Sequence, residues 1–139
     1  GVIFQNSDNF LFSQYVEDEL RFAPENLCVP RKEIETRIKE ALEFAGIEYL
    51  RHRKIQELSG GEKKLVSIAS VLTMKSKFLI ADEITSGVDE ERKVQIRKIL
   101  GSLAEDGVGI LMVSHNKSDI EIADRIYVLK DGMLHDRTD

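Results

Sequence analysis

Leu58-Ser59-Gly60-Gly61-Glu62 is the first stretch of this sequence with residue types and spacing suited to chemistry. Ser59 stands where a helix N-cap belongs, and Glu62 three residues on completes an S-x-x-E capping box. The two glycines carry no side chains, so a ligand can reach the bare N–H groups at the positive end of the helix. Such an end suits phosphate, although the same pentapeptide also serves as a plain cap and turn. Asp82-Glu83 is the second stretch, two adjacent acids directly after the apolar run Phe78-Leu79-Ile80-Ala81. Carboxylates leaving a buried strand are costly unless a cation or a water network meets them. A hydrated Mg²⁺ bound through one carboxylate, with phosphate oxygens as further ligands, answers that cost. The neighbouring carboxylate can then orient or deprotonate an attacking water. Two capping acids in a turn are the plainer alternative. His115 follows another apolar run, Val108 to Val113, and is either a structural histidine or a donor to the same phosphate.

The elements that must position these groups are legible in the hydrophobic pattern. Val2-Ile3-Phe4 reads as the end of a buried strand, and Gln5-Asn6-Ser7-Asp8-Asn9 as a polar break after it. Phe10, Leu11, Phe12 and Tyr15 then crowd aromatic and apolar groups into a region rich in turn residues, as core or as a docking face. Pro30 precedes an amphipathic helix over 31–45, with Ile34, Ile38, Leu42 and Ala45 on one face and Gly46 as its stop. A short helical piece over 47–52 leads into the basic cluster Arg51-His52-Arg53-Lys54, where His52 is expected to be exposed. After the capping box, Leu65, Val66, Ile68, Ala69, Val71 and Leu72 form the stripe of a second helix, ended by Lys75-Ser76-Lys77. Phe78 to Ala81 reads as a strand buried on both faces of a parallel sheet. A third helix over 89–105 buries Ile96, Ile99, Leu100 and Leu103 and closes at Asp106-Gly107. Val108 to Val113 is the next buried strand, and a short helix is expected around Asp119 to Ala123. Ile126 to Leu129 is a further strand, with Asp131-Gly132 as a hairpin turn into Met133-Leu134. Helix alternating with apolar strand implies a parallel sheet of α/β type. The first half is mostly helical, and the shift in composition falls near Lys75.

Bulk properties narrow the classes. The 139 residues are 42% hydrophobic and 32% charged, ordinary for a single folded domain. A net charge of −5 argues against a nucleic-acid grip held by bulk electrostatics. The one cysteine, Cys28, makes no internal disulfide and no metal cluster, which fits a reducing compartment. No apolar run approaches the roughly 18 residues of a membrane span, so a membrane role would come through a partner. The opening Gly1-Val2-Ile3-Phe4 lies already inside an apolar run, as in a piece of something longer.

Gln5 after an apolar strand, Leu58 to Glu62, Phe78 to Glu83, Ser86-Gly87-Val88-Asp89 and His115, in this order, resemble the nucleotide-binding domain of ATP-binding-cassette (ABC) ATPases. In that family these are the Q-loop, signature motif, Walker B strand with catalytic glutamate, D-loop and H-loop. Gln5 to Asn9 with Glu25-Asn26-Leu27 looks most like energy-coupling-factor and cobalt-type importer ATPases. The resemblance implies a partial P-loop NTPase fold of α/β class. Residues 1–6 would be the end of a core strand and the Q-loop, 7–75 a helical subdomain, and 76–139 the C-terminal part of the catalytic core. It implies ATP and Mg²⁺ as ligands, with Asp82 holding the metal through water and Glu83 polarising the hydrolytic water. His115 would contact the γ-phosphate, and Gln5 would sense the metal and link to the transport partner. Ser59, Gly60 and Gly61, in the motif that Glu62 completes, would close on ATP bound to an opposite subunit, with Asp89 at the seam. The implied partners are a second nucleotide-binding domain and a transmembrane subunit received at Phe10 to Phe22. No nucleic acid is expected, and the place implied is the cytoplasmic face of the cell membrane.

Departures from the family pattern are small at Ser7, Ala81, Ile84 and Asn116 and large in one respect. The chain holds no G-x-x-x-x-G-K-[ST] P-loop, which supplies the phosphate cradle, the lysine and a metal-ligating hydroxyl. It therefore reads as the C-terminal two-thirds or so of an importer ATPase, inactive by itself. Two other readings stay open at this point: an ABC-type ATPase of DNA repair or translation, and a non-catalytic interaction module.

Overall fold

The computed structural model describes residues 1–5 and 10–137. The polar break over 6–9, including Ser7, therefore lies outside the described residues apart from Gln5. Three parallel strands form the sheet, β1 (Val2–Ile3), β2 (Phe78–Asp82) and β3 (Gly109–Val113), in the order β1-β2-β3. Val2 pairs with Ile80 and Ile80 with Leu111, so the three strands run in register.

A layer of helices packs on one face. α1 (Val16–Asn26), α2 (Arg31–Ala45) and α3 (Gly60–Leu72) form the N-terminal group, and α4 (Glu90–Glu105) follows β2. α2 begins after Pro30, whose fixed φ suits a helix entry. It stops at Gly46, where φ is +67° and a side chain would be strained. α3 is the hub, with Leu65, Val66, Ile68 and Ala69 fully buried against α1, α2 and β1. Each such large side chain contributes about 1.5–3 kcal/mol by leaving water. The buried cluster runs without a break from Ile38 of α2 through Leu65 to Leu79 and Ile96.

The structure departs from the sequence pattern at four places. α1 carries no separate signal in the sequence because its buried positions are only Val16, Glu19, Leu20 and Pro24, and a proline in the pattern argues against helix. β2 is not buried on both faces: Leu79 and Ala81 face the helices, whereas Phe78 is exposed and Ile80 half-buried. Leu111 and Val113 of β3 lie on the same open face. Among the described residues helices cover one side of the sheet, which leaves the other face of this apolar run open. The strand at 127–130 is not part of the parallel sheet. It pairs antiparallel with 133–136 as β4 (Tyr127–Lys130) and β5 (Met133–Asp136) across Asp131-Gly132. Both turn residues have positive φ, as a two-residue hairpin turn requires. Finally, the short helix α5 is Lys117–Ile120, earlier than expected, because the Asn116 side chain accepts from the Ser118 N–H and caps it.

Arg51 belongs to no open basic patch. With Arg21 it closes a ring of ion pairs on Glu17 and Glu35, at 2.6–2.8 Å, tying α1 to α2 and to the turn at 48–50. His52 is exposed as expected, with Nδ1 3.3 Å from Glu17. The Arg51 hydrogen bond holds the Glu17 carboxyl below its ordinary 4.5, and Arg21 does the same for Glu35. A lowered folded value means that the stabilisation is complete above pH 4.5 and is lost as pH falls through the folded pKa values. Thermal unfolding followed across this range should therefore show a falling midpoint below pH 4.5. Arg51→Gln should lower the midpoint at neutral pH and flatten that fall, and an unchanged slope in the variant would contradict the assignment.

Candidate functional site

Parallel register brings the strand-end groups to one edge. Ile3 pairs with Ala81, and Asp82 pairs with Val113. Gln5, Asp82-Glu83 and His115 accordingly leave the carboxyl ends of three adjacent strands, the place where open α/β sheets bind ligands. Glu83 is the pivot. Its φ is +49°, a left-handed conformation uncommon for a glutamate, and its N–H donates to the Val113 carbonyl at 2.9 Å. This turns the side chain toward His115, whose Nε2 lies 3.2 Å from Glu83 Oε1. The approach is not aligned as a hydrogen bond, so Oε1 stays a buried acceptor without a hydrogen-bond partner among the described residues. His115 itself is 93% exposed. A buried carboxylate oxygen left open beside an accessible imidazole is costly unless a further donor completes it.

The second group gathers where α3 and α4 begin. Ser59 Oγ accepts from the Glu62 N–H at 3.2 Å, and Glu62 accepts from the Ser59 N–H at 2.9 Å, a complete capping box. The Ser59 N–H is the main cause that holds the Glu62 carboxyl below its ordinary value. A Cβ at Gly60 would meet no atom within 4 Å among the described residues, so that side of the helix start is open. Gly61 is a packing glycine: a Cβ there would stand 3.1 Å from Arg92 Cγ and 3.5 Å from Asp89 Oδ2. Asp89 caps α4 by accepting from the Arg92 N–H at 3.1 Å. Arg92 donates to the Tyr49 hydroxyl at 3.2 Å, and that hydroxyl approaches Glu62 Oε1 at 3.4 Å. The two capped helix starts are thus bound to each other.

Lys64, absent from the sequence reading, ties this group to Gln5. Its side chain is buried, and Nζ donates to the Phe4 carbonyl at 3.3 Å and closely to the Gln5 carbonyl. A lysine three residues after Gly61, on the helix's apolar face, was the available signal. Tyr49 and Arg92 gave none, because their partners lie 13 and 43 residues away.

These groups fit a polyphosphate carrying a divalent cation. The open helix end suits a phosphate. Mg²⁺ takes oxygen ligands, keeps several waters and asks for only one or two carboxylates. Asp82 can be such a ligand, and among the described residues no cluster of three or more His, Cys, Asp or Glu could hold a metal alone.

The family model of the ABC transporter matches residues 1–86. The chain belongs to that family. An energy-coupling factor transporter ATP-binding protein EcfA of Methanothermobacter thermautotrophicus is 41% identical over 135 residues, covering 96% of this chain and 43% of the relative. A cobalt import ATP-binding protein CbiO of Syntrophus aciditrophicus is 37% identical, covering 96% and 48%. The solved structure of cbiO1 from Clostridium perfringens, described as part of the ABC transporter complex cbiONQ, superposes with a TM-score of 0.88 at 37% identity. That superposition covers 97% of this chain and 55% of cbiO1, so this ABC chain has the P-loop NTPase fold of α/β class over the part it shares. It spans about half the length of these relatives. Among its described residues no helix is long and apolar enough to cross a membrane.

Gly60 and the adjacent cap Ser59 of this ABC chain should separate in a stability measurement. Gly60→Ala, at an open helix start, should be neutral or stabilising by up to about 1 kcal/mol. Ser59→Ala should cost about 1 kcal/mol through loss of the cap. Denaturant unfolding of both variants checks this, and a clear destabilisation by Gly60→Ala would contradict the open geometry at that position.

Proposed function

We propose that this chain is the C-terminal part of an ATP-binding subunit of an energy-coupling or cobalt-type ABC importer. The intact subunit couples ATP hydrolysis at a head-to-tail dimer interface to transport through a membrane partner. The observation that carries the reading is the buried, open Oε1 of Glu83 beside His115 at the ends of adjacent parallel strands. On this reading residues 7–75 are the helical subdomain, and 1–6 with 76–139 belong to the catalytic core.

Each residue has a role that its chemistry allows. Asp82 and Gln5 sit at the metal, Asp82 acting through water. Mg²⁺, when bound, neutralises charge on the phosphates. Glu83 accepts a hydrogen bond from the attacking water and holds it in line, a general-base role suited to a half-buried carboxylate. His115 donates to the γ-phosphate from its exposed position. Ser59, Gly60 and Gly61 present the bare helix start to ATP on the opposite subunit. Glu62 keeps that start capped, and Asp89 lies at the seam between the subunits. The exposed aromatic pairs Phe4–Phe10, stacked at 4.4 Å, and Phe12–Phe22, edge to face at 4.6 Å, support a groove for a helix of the membrane subunit. On this reading the subunit works at the cytoplasmic face of the membrane.

The deciding experiment is ATP turnover by the full-length protein with Glu83→Gln. The amide cannot take the proton from water, so turnover should fall by about 10²-fold or more. Parent-like turnover would overturn the reading. The 139-residue chain alone, without a P-loop, should show no tight Mg-ATP binding by calorimetry, and a micromolar dissociation constant would count against it.

A further inference from the structure

Bonded to the loops that carry Glu83 and His115 is a buried carboxylate that no motif assigns. Asp119 is wholly buried at the middle of α5. Its Oδ2 accepts from Thr85 Oγ1 and, at 2.7 Å, from Ser114 Oγ. Its Oδ1 accepts from Arg97 Nη1 of α4 at 3.2 Å, and Arg97 also holds Glu90 at 2.9 Å. Ser114 Oγ in turn accepts the Asn116 N–H at 3.0 Å. A carboxylate taken wholly out of water is tolerable only when paired and fully hydrogen-bonded, and this one has a guanidinium and two hydroxyls.

The placement of those hydroxyls is the informative feature. Thr85 stands two residues after Glu83, and Ser114 stands one residue before His115. One carboxylate oxygen therefore staples the loop that follows β2 to the loop that follows β3. A second tie lies beside it, the Glu83 N–H on the Val113 carbonyl at 2.9 Å. Between these two ties the Glu83 backbone is held at a positive φ, a conformation that needs outside support. The 3.2 Å approach of Glu83 Oε1 to His115 Nε2 is set by these ties, since the exposed imidazole has little packing of its own.

We propose that Asp119, acting through Thr85 and Ser114, is the positioning residue that holds Glu83 and His115 in register for the reaction. The inference rests on the function proposed above and concerns only how its two strand-end groups are held. Displacements near 1 Å at a reacting centre cost about 10²-fold in rate, so loss of the staple acts on turnover more than on binding.

The test uses the full-length protein and isosteric changes that leave the Asp119 charge in place. Thr85→Val removes the hydroxyl at constant volume and should lower kcat about tenfold to a hundredfold, with nucleotide affinity unchanged. Thr85→Ser keeps a hydroxyl and should restore most of the loss, and Ser114→Ala should behave like Thr85→Val. A crystal structure of Thr85→Val supplies a readout independent of activity: Glu83 Oε1 and His115 Nε2 should stand farther apart than the present 3.2 Å. Parent-like kcat in Thr85→Val, an unchanged separation, or equal losses of kcat and affinity would each overturn the inference. Glu83→Gln is the control. If it abolishes turnover while Thr85→Val does not, only the positioning role falls, whereas parent-like turnover in Glu83→Gln removes the reaction itself.

Discussion

In-register parallel pairing of three short strands is the constraint on which the rest depends. Pairing of Ile3 with Ala81 and of Asp82 with Val113 leaves Gln5, Glu83 and His115 a residue or two beyond the ladder on one edge. Side-chain direction alternates along a strand. A slip of one residue would send Glu83 to the other face and part it from His115. Register is held by the apolar residues facing the helices, Ile3, Leu79 and Ala81, all buried. The chemistry at the edge thus depends on packing several ångströms away from it.

The start of α3 shows a second economy. A helix end can attract an anion only while its N–H groups are uncovered, yet an uncapped end frays. Here the capping box satisfies Ser59 and Glu62 from the side, and Gly60 adds no side chain to the open flank of the helix start. The absence of a side chain at Gly61 lets Arg92 and Asp89 approach closely enough to lock α4 against α3. The two glycines, adjacent in sequence, answer to different requirements.

What was legible in the sequence was what short-range pattern encodes. The capping box, the limits of α2, the buried face of α4 at Ile96, Ile99, Leu100 and Leu103, and the hairpin turn were all readable from spacing and residue type. The place of Asp82-Glu83 and His115 at the carboxyl ends of two strands was readable too, though not the contact between Glu83 and His115. Long-range partners were not readable. Asp119 resembles any acid of a short polar helix until Thr85, 34 residues earlier, is seen to donate to it. Lys64 drew no reading at all, and its burial depends on two backbone carbonyls 59 and 60 residues before it. The open face of the sheet among the described residues was not readable, because an apolar strand has the same composition whether one side or both are covered.

Lys64 also settles how the two site groups are related mechanically. It stands four residues after Gly60, about 6 Å along the axis at 1.5 Å per residue, and grips the carbonyls that lead into Gln5. The same turn of α3 meets Arg92 and Asp89 through Gly61. A rigid helix cannot shift its first turn without moving both contacts. The start of α3 is therefore in contact with the end of β1 through a buried lysine and with the cap of α4 through a glycine contact. Neither contact relies on a flexible exposed side chain, so the helix end and the strand ends are joined by packing that the fold already requires.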